Sequence, residues 1–86
     1  FGLRLNLDDI ENMIKDLNFN NAVISNDSKL IIFLKSEDKK KSVNQILDKI
    51  KLNNSYIKFL YLNKMPLNKS NKINYEKLKS IFKRIR

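Results

Sequence analysis

Any chemistry of this chain must rest on lysines, carboxylates and hydroxyls, because the sequence contains no cysteine and no histidine. Disulfides, thiol nucleophiles, imidazole bases and nearly all zinc sites are thereby excluded. Two groups of residues remain as candidates. One is the acidic cluster of Asp8, Asp9 and Glu11. The other is Lys72, near the far end of a polar loop that follows Pro66, the only proline.

The acidic cluster falls in the expected first turn of a helix. Carboxylates in that position are stabilised by the positive end of the helix dipole, which accounts for Asp8, Asp9 and Glu11 without any catalytic role. Their spacing also differs from that of a calcium-binding loop. The sequence therefore predicts no metal site, and an acid/base pair is the weaker interpretation.

Lys72 lies in a stretch that has no large apolar residue between Leu67 and Ile73 and that then begins a helix. Asn, Ser and Lys between two apolar segments are typical of a surface turn. A lysine on such a loop can also neutralise charge that develops between a carboxylate and a phosphate. Because Lys72 is one of fifteen lysines, the pattern alone leaves both interpretations open.

Three amphipathic helices are predicted to position these residues, since apolar side chains recur at i, i+3, i+4 and i+7. The first helix ends near residues 17–19, and the second spans about 42–52. Their stripes and caps are Ile10, Met13, Ile14 and Leu17 after Asn6; Val43, Ile46, Leu47 and Ile50 after a Ser42/Gln45 capping box; and Leu78, Ile81, Phe82 and Ile85 after Asn74.

Strands are predicted between the helices. Alternating Leu3, Leu5 and Leu7 suggest a short opening strand. Segments 21–25 and 29–35 flank a short turn and should form an antiparallel hairpin, and segment 56–62 is rich in aromatic and β-branched residues. The resulting order, β-α-β-β-α-β-α, indicates a small α+β domain whose mixed sheet is flanked by helices, with the last strand parallel to its neighbour.

Length and charge limit the functional classes. Eighty-six residues make one domain, and no apolar run approaches the roughly 20 residues that cross a bilayer, so no membrane partner is expected. The net charge of +9 is uneven: residues 1–34 carry −2 and residues 35–86 carry +11. Most of these cations are lysines in a chain rich in Asn and Ile, which favours a solvated lysine surface over a nucleic-acid footprint.

Two alternatives stay open at this point. The element order contains the β-α-β-β-α-β arrangement of RNA-recognition modules, with Phe33, Tyr56, Phe59 and Tyr61 as candidates for base stacking. The signature of glycine and aromatic residues of those modules is missing, so nucleic acid is the less favoured partner. A stand-alone interaction domain, whose lysine face binds an acidic carrier protein, is the third interpretation.

Segments near the two ends carry a family resemblance. Residues 2–11, GLRLNLDDIE, are similar to the motif G-[FY]-R-I-E-L-G-E-I-E, and residues 66–75, PLNKSNKINY, are similar to P-L-T-P-N-G-K-[VI]-D-R. Together, in this order and at roughly this spacing, they resemble the C-terminal subdomain of the AMP-forming adenylating enzymes. That superfamily includes acyl-CoA synthetases, peptide-synthetase adenylation domains and luciferase.

The resemblance implies a role for each segment. Lys72 would be the adenylation lysine, which reaches the substrate carboxylate and the α-phosphate of ATP while the acyl adenylate forms. The loop of Gly2, Leu3 and Arg4 would face the pantetheine arm of the acceptor in the second, thioester-forming step. Gly2 suits that position because a residue without a Cβ lets the arm pass close to the backbone. A domain rotation would exchange Lys72 for this loop.

For the whole chain, the resemblance implies a single C-terminal lid, residues 1–86, of a cytoplasmic acid–thiol ligase. A large N-terminal catalytic domain is then expected upstream of Phe1, holding ATP, Mg²⁺ and the carboxylate substrate. CoA or phosphopantetheine would be the acceptor, the latter on an acyl carrier protein, and the isolated domain is expected to be inactive.

Three departures from the family pattern lead to local expectations. Asn71 stands where the family has glycine, and because asparagine tolerates a left-handed backbone, the loop should keep its shape. Asn74 and Tyr75 replace Asp-Arg, so a charge pair there is not expected. The segment Asn53-Asn54-Ser55 replaces a motif that contains proline.

Overall fold

A three-stranded mixed sheet with helices on both faces forms the core of the molecule, described over residues 6–26, 29–51 and 54–85 in a computed structural model. The elements in order are α1 (Leu7–Asp16), β1 (Asn21–Asn26), β2 (Lys29–Lys35), a 3-10 helix (Ser36–Lys40), α2 (Asn44–Ile50), a second 3-10 helix (Asn54–Tyr56), β3 (Ile57–Leu62) and α3 (Tyr75–Ile85). The predicted α+β class is confirmed.

Strand β2 occupies the centre of the sheet, in the order β1-β2-β3. It pairs antiparallel with β1, where Asn26 lies opposite Lys29, and parallel with β3, where Leu30 lies opposite Ile57. Both the hairpin and the parallel crossover were expected from the sequence and are confirmed. β1 and β3 are left as the two edges of the sheet.

The side chains of β2 alternate between two hydrophobic cores because successive residues of a strand point to opposite faces. On one face Leu30, Ile32 and Leu34 pack with α1 and α2; on the other Ile31 and Phe33 pack with α3. The buried members of the first core are Ile10, Ile14, Phe19, Val23, Leu30, Ile32, Leu34 and Ile46, and those of the second are Ala22, Ile24, Ile31, Phe33, Met65, Leu78 and Phe82.

The predicted opening strand has no counterpart among the described residues. Asn6 is the N-cap of α1, its side-chain oxygen accepts a hydrogen bond from the Asp8 N–H at 2.9 Å, and Leu7 is already helical. The Asn6 side chain satisfies a backbone N–H that has no partner within the helix, which favours a helix start at this point. The helix therefore begins at Leu7, which the leucine alternation assigned to a strand. The rest of that prediction, residues 1–5, lies outside the described residues.

Helix α2 is shorter than the predicted 42–52. Ser42 Oγ accepts from the Asn44 N–H at 3.2 Å, not from Gln45, so the expected capping box does not form. Val43 takes the N-cap position without a side-chain hydrogen bond, and Lys51, with φ of 61°, ends the helix in a left-handed conformation. The charged segment that follows β2 forms the first 3-10 helix, Ser36–Lys40.

Helix α3 begins as predicted. Asn74 Oδ1 accepts from the Lys77 N–H at 3.1 Å, and Leu78 and Phe82 are buried on one face of the helix. In the described part of the chain, none of the helices has the length and apolar character that crossing a bilayer requires.

Candidate functional site

The loop between β3 and α3 is closed at its base like a small hairpin. Leu67 and Ile73 form an antiparallel bridge, the Asn68 N–H donates to the Lys72 carbonyl at 2.8 Å, and the Asn74 N–H donates to the Pro66 carbonyl at 2.9 Å. These bonds fix the two arms of the loop to each other, so the positions of the two ends of its tip are defined.

Asn68 organises the tip of the loop. Its Oδ1 accepts from the backbone N–H groups of Ser70, at 2.8 Å, and Lys72, at 3.2 Å, while its carbonyl accepts from Asn71 at 3.0 Å. Asn71 has a φ of 63°, the left-handed conformation expected where the family has glycine. The backbone of Lys72 is therefore held from both sides.

The side chain of Lys72 is exposed, and the described residues offer its ammonium no hydrogen bond and no ion pair. Its main chain is ordered by Asn68 while its charge remains available. Such a lysine can place a compact positive charge on a carboxylate or phosphate brought to it by another surface.

A shallow groove of about 340 Å³ runs along the base of this loop. Its apolar floor is formed by Met65, Leu67 and Ile73, with Lys35 and Lys64 at the rim. Leu67 is 50% exposed, which is unusual for a leucine that also forms the loop's bridge. The loop therefore presents apolar surface and positive charge together.

The described parts of the two segments that carry the family resemblance meet at a side-chain contact. The Tyr75 hydroxyl donates to the Glu11 carboxylate, with oxygen distances of 2.7 and 2.9 Å. Glu11 Oε2 also accepts the Val23 N–H at 2.8 Å. Partial burial and then the Glu11 hydrogen bond raise the pKa of Tyr75 above its usual value. Tyr75 stands where the family has arginine, and a neutral hydroxyl makes the contact here.

Glu11 therefore has a structural role that the sequence did not reveal. Its carboxylate binds β1 and the start of α3 at once, whereas Asp8 and Asp9 are exposed in the first turn of α1. No grouping of three or more residues of the types His, Cys, Asp and Glu that could hold a metal ion occurs within the described ranges.

A second structural cluster, in segment 36–41, was also not predicted from the sequence. Asp38 is only 4% exposed, accepts from the Asn20 N–H at 3.0 Å and pairs with Lys41 at 3.2 Å. The Lys41 ammonium also donates to the Asn18 carbonyl and lies 5.2 Å from the centre of the Phe19 ring. The i, i+3 spacing of Asp38 and Lys41 was the available signal.

The sequence-predicted site residues are thus only partly placed. Lys72 is exposed on an ordered loop, as expected from the polar residues around it. The thioester-loop candidates Gly2, Leu3 and Arg4 lie outside the described residues.

The RNA-binding alternative loses its central stacking residue. Phe33 is fully buried, because helices cover both faces of β2. Among the aromatic residues proposed as base stackers, Tyr56 has 43% of its surface exposed, while Phe59 and Tyr61 are half-buried.

Comparisons of the chain with family models, with characterised proteins and with solved structures found no match.

Proposed function

We propose that this chain is the C-terminal lid of an ATP-dependent, AMP-forming carboxylate ligase, and that Lys72 is its adenylation lysine. The observation that carries the proposal is the combination of a fixed loop backbone and an exposed Lys72 ammonium to which no described residue binds. The type of reaction is proposed from the resemblance of residues 2–11 and 66–75 to the two family motifs. The Tyr75–Glu11 contact joins these two segments in the fold.

In this reaction the substrate carboxylate attacks the α-phosphorus of ATP and pyrophosphate leaves. Negative charge builds up between the carboxylate and the α-phosphate, and the Lys72 ammonium neutralises it. A lysine already paired with a protein carboxylate would be poorly suited to this, which distinguishes Lys72 from Lys41.

The described residues fit part of the implied ligand set. Lys72 suits a phosphate, but the described chain has no carboxylate cluster for Mg²⁺. The proposal therefore places ATP, Mg²⁺ and the acyl pocket mainly in an upstream catalytic domain of a cytoplasmic enzyme. Gly2, Leu3 and Arg4 would face CoA or a carrier-bound phosphopantetheine after domain rotation, and the 86-residue chain alone would be inactive.

The test uses the full-length protein that contains this chain. Adenylate formation is followed by carboxylate-dependent exchange of pyrophosphate into ATP, and the second step by thioester formation from supplied acyl adenylate. Lys72→Ala should slow the first reaction by roughly 10²- to 10³-fold, the usual effect of losing one electrostatic donor, and largely spare the second. The matched control is Lys69→Ala, three residues away on the same exposed loop, which should leave both rates near wild type.

Equal loss of both half-reactions, or of neither, would contradict the role of Lys72. A gene without several hundred residues of catalytic domain ahead of Phe1 would contradict the proposal as a whole. Tight binding of RNA that weakens steeply with salt would instead favour the RNA-binding alternative.

A further inference from the structure

The outer edge of β3 is a hydrogen-bonding surface that no other described strand occupies. In the sheet order β1-β2-β3, β3 pairs only with β2, and every second residue of an edge strand directs its N–H and C=O groups outward. Across the described residues, no side chain or loop hydrogen-bonds to the backbone of Ile57–Leu62 from that side.

The side chains of β3 suit a neighbouring strand. Ile57, Phe59 and Tyr61 pack partly against one core, and Leu60 and Leu62 pack partly against the other. They are half-buried, whereas the apolar β2 residues opposite four of them, Leu30, Ile32, Phe33 and Leu34, are fully buried. An added strand would cover the remaining apolar surface on both faces.

A lysine stands on each face of this edge. On one face the Lys39 ammonium lies 5.5 Å from the centre of the Tyr61 ring, and on the other the Lys58 ammonium lies 5.8 Å from that of Phe82. No described carboxylate pairs with either lysine. Lys58 and Tyr61 lie three residues apart on opposite faces of β3. Side chains three positions apart in an added strand also point to opposite faces, so two acidic residues at that spacing would reach one lysine each.

The surrounding charge also selects an acidic occupant. Residues 49–75, which include β3 and the loop that follows, contain six lysines and no acidic residue. A second copy of this chain is disfavoured because the protein carries a net charge of +9. We infer that the β3 edge is a binding site for an extended acidic peptide segment of a partner protein, which adds to the sheet as a fourth strand. This inference is independent of the ligase proposal.

The test separates backbone pairing from simple charge attraction. The probe is a synthetic, end-blocked peptide of about eight residues, made of valine and threonine with two glutamates three positions apart near its centre. Added to the ¹⁵N-labelled 86-residue chain, it should shift amide signals of β3 and leave those of β1 in place. Two N-methylated versions, modified on alternate residues, should differ by roughly tenfold or more in affinity, since only one set of amides faces the protein.

Charge is tested with matched double variants. Lys39→Glu with Lys58→Glu should weaken binding by roughly tenfold more than Lys15→Glu with Lys40→Glu, which changes the net charge equally but lacks ring contacts at β3. The comparison of the two N-methylated peptides uses the wild-type chain, so it remains a valid test even where a double variant folds poorly.

Several results would overturn the inference. If the acidic peptide does not bind, or if the two N-methylated versions bind equally well, the result contradicts strand addition. Equal affinity for a peptide with lysine in place of glutamate contradicts the selection of an acidic segment. Tighter binding of a single-stranded oligonucleotide at the same amides would assign the edge to nucleic acid. Self-association of the chain through β3 would assign it to a second copy.

Discussion

The two edges of the sheet are treated differently by the chain. At β1, the Glu11 carboxylate accepts the Val23 N–H at 2.8 Å, and Tyr75 of α3 holds that carboxylate in place. At β3, no described group plays this part, and the ammonium groups of Lys39 and Lys58 lie over the aromatic rings of Tyr61 and Phe82.

The difference follows the uneven charge of the sequence. Residues 1–34 carry a net −2 and supply a carboxylate that accepts an edge N–H, while residues 35–86 carry +11 and supply cations that cannot accept one. Proteins blunt exposed edges either by covering them or by placing lysine on them. This molecule uses the first device at β1 and the second at β3.

Removing the cover at β1 should have the largest effect. Glu11→Ala deletes a charged acceptor used by both Val23 and Tyr75, which should lower the free energy of unfolding by about 2 kcal/mol. Urea denaturation measures this. In hydrogen-exchange experiments the Val23 amide should lose its protection, becoming as fast as the outward-facing amides of β3.

The matched control for Glu11→Ala is Asp9→Ala, in the exposed first turn of the same helix. It should cost about 0.5 kcal/mol, the value of a favourable helix-dipole interaction. Equal losses in the two variants would show that Glu11 acts only through the helix dipole, and the contrast between the edges would then disappear.

The sequence predicts what depends on neighbouring residues and misses what depends on distant ones. The helix stripes, the hairpin, the caps at Asn6 and Asn74 and the left-handed Asn71 follow from local propensity and periodicity. The Glu11–Tyr75 contact joins positions 64 residues apart in the sequence, so no local sequence pattern predicts it. The opening strand was wrong at Leu7, because the leucine alternation and the Asn6 cap gave competing signals there and the helix prevailed.

The candidate site was predictable to a similar extent. The motif resemblance singled out Lys72 among fifteen lysines, and a polar turn was expected around it. The role of Asn68, whose side chain holds the Ser70 and Lys72 amides, was not predicted. Asparagine commonly bonds to its own backbone two residues on, but the sequence does not show which of the loop asparagines does so.

A smaller effect should follow from keeping Glu11 and removing its partner. Tyr75→Phe loses one hydrogen bond to a partly exposed carboxylate and should lower the free energy of unfolding by about 1 kcal/mol at neutral pH. The β1 edge should stay covered, because the bond between Glu11 and Val23 remains. If Tyr75→Phe lowers the free energy of unfolding as much as Glu11→Ala does, the tyrosine, rather than the carboxylate, stabilises the β1 edge.

Alkaline titration sharpens the same test. Partial burial and the Glu11 hydrogen bond raise the pKa of folded Tyr75, so the unfolded chain loses this proton first, near pH 10. Stability from this group is therefore complete below about pH 10 and declines as the pH rises above it. Denaturation between pH 8 and 11 should show a fall in wild type that is smaller in Tyr75→Phe. Tyr61→Phe, which leaves Tyr75 intact, should retain the fall.

The smallest effect on stability, and the most direct test of the bare edge, should come from Lys58→Val. Lys58 is the only charged residue of β3 and is exposed, so its replacement should change the free energy of unfolding by no more than about 0.5 kcal/mol. The strand would then be an uninterrupted apolar edge, and edge-to-edge pairing should appear as dimers or larger species in sedimentation velocity. Lys40→Val makes the same change on the 3-10 helix and should stay monomeric. If both variants remain monomeric at millimolar concentration, lysine is not what keeps β3 from pairing with another copy.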